Sequence, residues 1–117
     1  MSIKRFDVGP RMSQAVVHND TVYLAGQVAR NKPGGSVTEQ TKDILAGIDR
    51  LLAEAGSDKS RLLSANIWLA DIATFEEMNA VWDAWVTPGN PPCRACVESK
   101  LASPQYTVEI MVTAARD

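Results

Sequence analysis

Pro91 and Pro92 stand in tandem in the last third of the chain, and no other feature restricts its fold so sharply. Each fixes φ and lacks an N–H, so a helix arriving from the N-terminal side must stop and an extended segment begin. Cys93 to Leu101 then reads as a strand with Arg94, Cys96 and Glu98 on one face. A second strand follows, in which Tyr106, Val108, Ile110 and Val112 alternate with Thr107, Glu109, Met111 and Thr113. An apolar, β-rich region thus carries two ionisable groups, Arg94 and Glu109, on what read as neighbouring strands. A hairpin would put both on one face if it paired residues whose numbers sum to an odd value, such as Cys96 opposite Glu109. A turn across Ala102 to Gln105 permits that register, whereas an even one without a bulge separates them.

Upstream, Ile3 to Val8 reads as a short strand ended by Gly9-Pro10, and Arg11 to Gln14 as a loop. Ala15 to His18 and Thr21 to Val28 form a hairpin about Asn19-Asp20, two residues that tolerate positive φ. Gly26 inside the second strand marks a bulge or a place where something approaches the backbone closely. Ser36 to Ala55 is a helix: Ile44, Leu45, Ile48, Leu51, Leu52 and Ala55 recur at helical spacing, Ser36 or Thr38 caps its start, and Gly56 stops it. Arg61 to Ala70 reads as a strand covered on both faces, with Leu63, Ala65, Ile67 and Leu69 on one side. Thr74 and Glu77 have the spacing of a capping box for a second helix, whose apolar face is Phe75, Met78, Val81, Trp82 and Trp85. The order predicts an α+β fold, a mixed sheet with two helices packed on one face. The other face is too large to leave in water, which predicts a symmetric oligomer.

A chain of 117 residues suffices for one domain, 1–117. Net charge is −2 and no Lys/Arg patch stands out, which argues against nucleic acid or an anionic membrane as partner. The N-terminal residues lack a secretory apolar core and no apolar run approaches a membrane span, so a cytoplasmic location is expected. Cys93 and Cys96 have C-x-x-C spacing, but on one strand they point to opposite faces and can neither bridge nor grip one metal. With His18 the single histidine, no metal site is expected.

Arg94 follows a rigid Pro-Pro entry and sits between small residues, so its guanidinium offers a fixed two-pronged fork for a carboxylate. The plainer alternative is an edge-strand salt bridge. Glu109, between Val108 and Ile110, is either the structural partner of Arg94 or Lys100, or a carboxylate that orients or deprotonates a water. Cys96 has no His-Asn or His-Asp arrangement beside it and reads as a small hydrophobe whose backbone lines a pocket. Trp68, Trp82 and Trp85 read as core, and His18 as a turn-flanking residue.

The run Pro92-Cys93-Arg94-Ala95-Cys96-Val97, leading at fixed spacing to Val108-Glu109-Ile110, resembles the YjgF/RidA family of enamine/imine deaminases. Supporting matches are Gly9-Pro10 with Ser13-Gln14-Ala15-Val16, then Leu24-Ala25-Gly26-Gln27, Ala70-Asp71, and Phe75 through Asn79. The resemblance implies a chorismate-mutase-like fold, a homotrimer with a ligand cleft at each subunit interface, and cofactor-free hydrolysis of 2-imino acids to 2-oxo acids and ammonia. It assigns Arg94 to the substrate carboxylate and Glu109 to the attacking water. Backbone near Cys96 and Gly26 then lines the pocket, and Met12 and Ser13 fall at its substrate-binding loop. The sequence departs from the family at three places. Met12 stands before Ser13 where an aromatic is usual, Cys93 replaces a small non-thiol residue beside the arginine, and the loop after Val28 is shorter.

Overall fold

The computed structural model describes residues 2–117. Three short strands open it, β1 (Ile3–Phe6), β2 (Ala15–His18) and β3 (Thr21–Leu24), followed by the long helix α1 (Val37–Glu54). Strand β4 (Leu62–Leu69), helix α2 (Phe75–Trp85), strand β5 (Cys93–Glu98) and strand β6 (Val108–Ala115) complete it. The sheet order is β1-β2-β3-β6-β4-β5, with β4 and β5 parallel and the other neighbours antiparallel. Both helices lie on one face of this mixed sheet, the α+β arrangement expected from the order of elements.

The local signals explain most boundaries. Asn19 takes φ 56° in the two-residue turn between His18 and Thr21. Ser36 Oγ accepts the Glu39 N–H and the Glu39 carboxylate accepts the Ser36 N–H, a reciprocal cap that starts α1. Gly56 stops the same helix at φ 83°. Ile44, Leu45, Ile48, Leu51 and Leu52 of α1, with Met78 and Trp82 of α2, pack on Val22, Ile67, Leu69, Val108, Ile110 and Val112 of the sheet.

Three expectations are corrected. The strands that carry Arg94 and Glu109 form no hairpin, because β4 lies between them and pairs with both. The Thr74 side chain does not cap α2; its hydroxyl donates to the Asp71 carbonyl at 2.7 Å. Glu77 instead reaches across to α1, where its carboxylate accepts the Thr38 N–H and hydroxyl, both at 3.0 Å. A negative charge among the unsatisfied N–H groups of a neighbouring helix start is worth more than one on its own first turn that the backbone does not need. Finally, an irregularity between Leu62 and Ser64 turns Leu62, not Leu63, into the core. Leu63 is left 48% exposed, and Ser64, Asn66 and Trp68 are only half-buried, so β4 is covered on one face and open on the other.

One buried polar side chain closes the fold. Gln40, fully buried in α1, donates through Nε2 to the Gly35 and Gln105 carbonyls at 2.9 and 3.0 Å. Its Oε1 accepts the Thr107 N–H at 2.9 Å, so one amide ties the connection before β6 to the start of α1. Leucine there would strand the Gly35 carbonyl and the Thr107 N–H, while the Gln105 carbonyl would keep the Gly34 N–H at 2.9 Å. Gln40→Leu is expected to cost about 3 kcal/mol in a denaturant titration, against less than about 0.5 kcal/mol for Gln105→Ala, whose side chain is exposed. Equal midpoints for the two variants would refute that role.

Candidate functional site

Arg94 is the second residue of β5, a strand whose outer edge has no partner among the described residues. Its register with Ala65, a buried residue of β4, turns it toward the helices. There the guanidinium lies over the rings of Phe75 and Trp82, 5.7 and 5.4 Å from their centroids. Nη1 donates to Asn79 Oδ1 at 2.8 Å. Two aromatic faces and one amide thus fix the plane of the fork without neutralising its charge. Among the described residues Arg94 has no carboxylate partner, and its remaining N–H groups are free for an oxyanion. The three supporting residues all come from α2 and were not read from the sequence as parts of a site. The i, i+4 spacing of Phe75 and Asn79, with Trp82 one turn on, is the signal that could have placed them on the strand's side of the helix.

Glu109 occupies a different surface. It pairs across β4 with Trp68, on the face the helices leave open, and is half-buried there. Burial pushes its carboxyl above its ordinary value, since among the described residues no cation or hydrogen-bond donor offsets the loss of water. The carboxylate rests on Gly26. A β-carbon built at Gly26 would collide with Oε2 and stand 3.1 Å from Cδ. The strand expected over Thr21 to Val28 ends at Leu24, so Gly26 lies beyond it; of the two expectations, a bulge or a close approach, the second holds, and what approaches is Glu109. On either side the backbone is pinned, because Gln27 N–H donates to the Ile110 carbonyl at 2.8 Å and Ile110 N–H returns the bond at 3.1 Å.

Within one chain Arg94 and Glu109 do not share a face. The residue of β5 level with Glu109 is Val97, opposite Trp68, three positions beyond Arg94. Three residues along and two strands across separate the two α-carbons by about 14 Å, too far for a small acid to touch both. The expected shared face depended on a hairpin that the insertion of β4 removes.

Cys96 follows Arg94 on the helix face, opposite Ile67, partly buried against the core. Burial pushes its thiol up, and the nearby Arg94 charge only partly offsets this, so it is no ready thiolate. Cys93 lies on the open face opposite Ser64, its thiol directed at the Leu63 carbonyl 3.2 Å away. The two cysteines point apart, as their strand spacing required. Met12 is 47% exposed, and its carbonyl accepts the Gly9 N–H at 2.8 Å. The β2–β3 ladder continues through Ala25 N–H to the Gln14 carbonyl at 2.9 Å, which carries Ser13 toward the end of the sheet where Gly26 lies. Among the described residues no three His, Cys, Asp or Glu side chains converge as metal ligands would.

Gly26→Ala is expected to destabilise by about 2 kcal/mol through overpacking, and to become nearly neutral in a Glu109→Ala background. Additive effects in that double-mutant cycle would show that the glycine serves something else. The raised Glu109 carboxyl also has a pH consequence. Protonation stabilises the fold fully below the unfolded-state pKa, and that contribution is lost as pH rises through the raised folded value. Glu109→Gln, neutral throughout, should match the wild type in acid and gain melting temperature over it as pH rises to neutral; a constant offset would contradict the burial.

A family model described as Endoribonuclease L-PSP matches residues 2–116. The RutC family protein YoaB of Escherichia coli is 45% identical over 115 residues, covering 98% of this chain and 99% of its own. A RutC family protein of Haemophilus influenzae is 45% identical over 114 residues, covering 97% and 98%. The crystal structure of a YjgF family member from Neisseria meningitidis superposes with TM-score 0.96 at 50% identity, over 100% of this chain and 97% of that one. With Pro92, Arg94, Gly26 and Glu109 in the places described and the match running nearly from end to end, the chain belongs to the YjgF/RidA family.

Proposed function

We propose that this protein hydrolyses reactive 2-imino acids to 2-oxo acids and ammonia, at sites built from two copies of the chain. The observation that carries the reading is the Arg94 guanidinium, fixed by Asn79, Phe75 and Trp82 on a sheet edge, with no carboxylate partner among the described residues. A rigid, unneutralised fork suits the carboxylate of a small acid. Glu109 supplies the second function. It faces away from Arg94, on an open sheet face that also exposes Tyr23, Leu63 and Val97 by 47 to 50%. Apposing that face with the β5 edge of a neighbour brings Arg94 of one copy toward Glu109 of the next, and a closed ring of three does so at each junction.

The chemistry asks little of such a site. As water oxygen bonds to the imine carbon, the Glu109 carboxylate takes one water proton and returns it to the nitrogen, giving a carbinolamine; the hydroxyl proton then passes through the same carboxylate to the amino group as the carbon–oxygen double bond forms and the carbon–nitrogen bond breaks, releasing the 2-oxo acid and ammonia. An imine is already electrophilic, so positioning and one proton carrier are sufficient. A half-buried carboxyl whose proton affinity is raised by burial is better suited to accept and return a proton than an exposed one. Met12, exposed where relatives of the resemblance carry an aromatic, leaves room over the substrate side chain. Net charge −2 gives an RNA backbone no field to follow, which supports a small acid over a polyanion. Retention of a 2-oxo acid without turnover is the second reading, favoured by the fact that Arg94 alone can hold a carboxylate.

Coupling an amino-acid oxidase to the protein and trapping free imine with semicarbazide tests the proposal. Wild type should suppress semicarbazone formation, and Arg94→Ala should lower turnover by about a hundredfold or more. Activity should rise with pH through a value above the ordinary one for a glutamate, a limb absent in Glu109→Gln. Unfolding and refolding Arg94→Ala and Glu109→Gln together should restore about one quarter of wild-type activity, since one junction in four joins two intact groups. No recovery would rule out shared sites, and 2-oxo acid binding without suppression would leave the carboxylate-binding reading.

A further inference from the structure

A cavity of about 350 Å³ opens where β4 ends, beside the segment that joins β5 to β6. Ala70, Lys100, Leu101, Ser103, Pro104 and Tyr106 line it, so neither Arg94 nor Glu109 belongs to it. Its volume lies at the low end of the range for small-molecule sites.

Backbone bonds hold the wall of this cavity in place. The Gln105 carbonyl accepts the Gly34 N–H at 2.9 Å and Gln40 Nε2 at 3.0 Å. Thr107 gives its N–H to Gln40 Oε1 at 2.9 Å, and its carbonyl accepts the Ala70 N–H at 3.0 Å. Tyr106 stands between these two anchored residues and gives its own N–H to the Ser103 carbonyl at 3.1 Å. The wall is therefore formed before any ligand arrives, and binding there costs little ordering.

The chemistry of the lining is one-sided. Ala70, Leu101, Pro104 and the Tyr106 ring are apolar surface, Lys100 is the cation, and no carboxylate takes part. The sequence offered Glu109 as a partner for Lys100, yet Lys100 forms no ion pair among the described residues. The Glu98 carboxylate, two positions upstream, is engaged by the Ile72 N–H at 3.0 Å. Lys100 is exposed, and an exposed ammonium by itself holds an anion weakly. A ligand that fits must therefore take most of its affinity from an apolar body and place one negative charge at the rim. The flat faces of Tyr106 and Pro104 suit a ring better than a flexible chain.

We propose that this cavity binds a small aromatic monocarboxylate, its ring against Tyr106 and Pro104 and its carboxylate on Lys100. One anchor on a flexible stem sets no fixed span for the ligand to match. The site uses none of the residues of the imine chemistry and stands independently of it.

Calorimetric titration of 3-phenylpropanoate into the Arg94→Ala protein tests this with the other carboxylate fork removed. Saturable binding is expected, weakened at least about tenfold by Lys100→Met, which keeps the stem and removes the charge. Ala70→Leu, at an exposed position, should fill the cavity and abolish binding in a folded protein. The uncharged 3-phenylpropanol, and acetate, which lacks the ring, should each bind at least about tenfold more weakly. Absence of saturation at about 20 mM 3-phenylpropanoate, a millimolar limit for a specific small-acid site, would overturn the proposal. So would an affinity indifferent to Lys100→Met or to Ala70→Leu, or acetate binding as tight as 3-phenylpropanoate.

Discussion

The antiparallel seam between β4 and β6 governs everything else in this molecule. Ile67 meets Ile110 and Ala65 meets Val112 on the helix side, while Trp68 meets Glu109 and Asn66 meets Met111 on the other. A slip of one residue would exchange those sets, driving Glu109 into the core and Ile110 onto the open face. The seam is protected against that slip from both ends. Ser64 and Thr113 share a hydroxyl contact of 2.6 Å on the open face, and Gln27 brackets Ile110 with a pair of backbone bonds. Once the register is set, the open face, the raised Glu109 carboxyl and its glycine rest follow.

β5 inherits its orientation from the same seam. Its parallel pairing to β4 puts Arg94 level with Ala65 and so under α2, and the helix supplies the two rings and the amide that hold it. The chain thus carries two groups of opposite charge on opposite faces of the sheet. Among the described residues, Arg94 is an edge-strand cation without an anion, and Glu109 is a carboxylate without a cation. Burying either group costs free energy, and each cost is lower when a ligand or a second copy supplies the missing partner. That division is why a sparse set of residues can serve the proposed reaction without a metal or nucleophile being assigned to it.

Much of this was legible in order along the chain. The tandem prolines, the glycine stop at Gly56, the helical stripe from Ile44 to Leu52 and the alternation around Val108 to Val112 are local signals, and local physics honours them. The capping box failed as a signal at Thr74 because side-chain carboxylates compete for unsatisfied N–H groups wherever these lie. Glu77 found a better set on another helix, 39 residues away in sequence. Leu63 failed for a related reason, since alternation cannot show where a strand will be irregular until its partner is known.

By itself, the sequence determined the elements, the α+β class, the motif of Arg94 and Glu109, the close approach at Gly26 and the divergence of Cys93 from Cys96. These depend on backbone dihedrals and side-chain period, which act over a few residues. Tertiary structure alone decided that β4 separates the strands bearing Arg94 and Glu109, that the two groups face opposite ways, and that Lys100 borders an apolar cavity. Those are consequences of which strand pairs with which, and strand pairing is settled by burial of the whole apolar set at once.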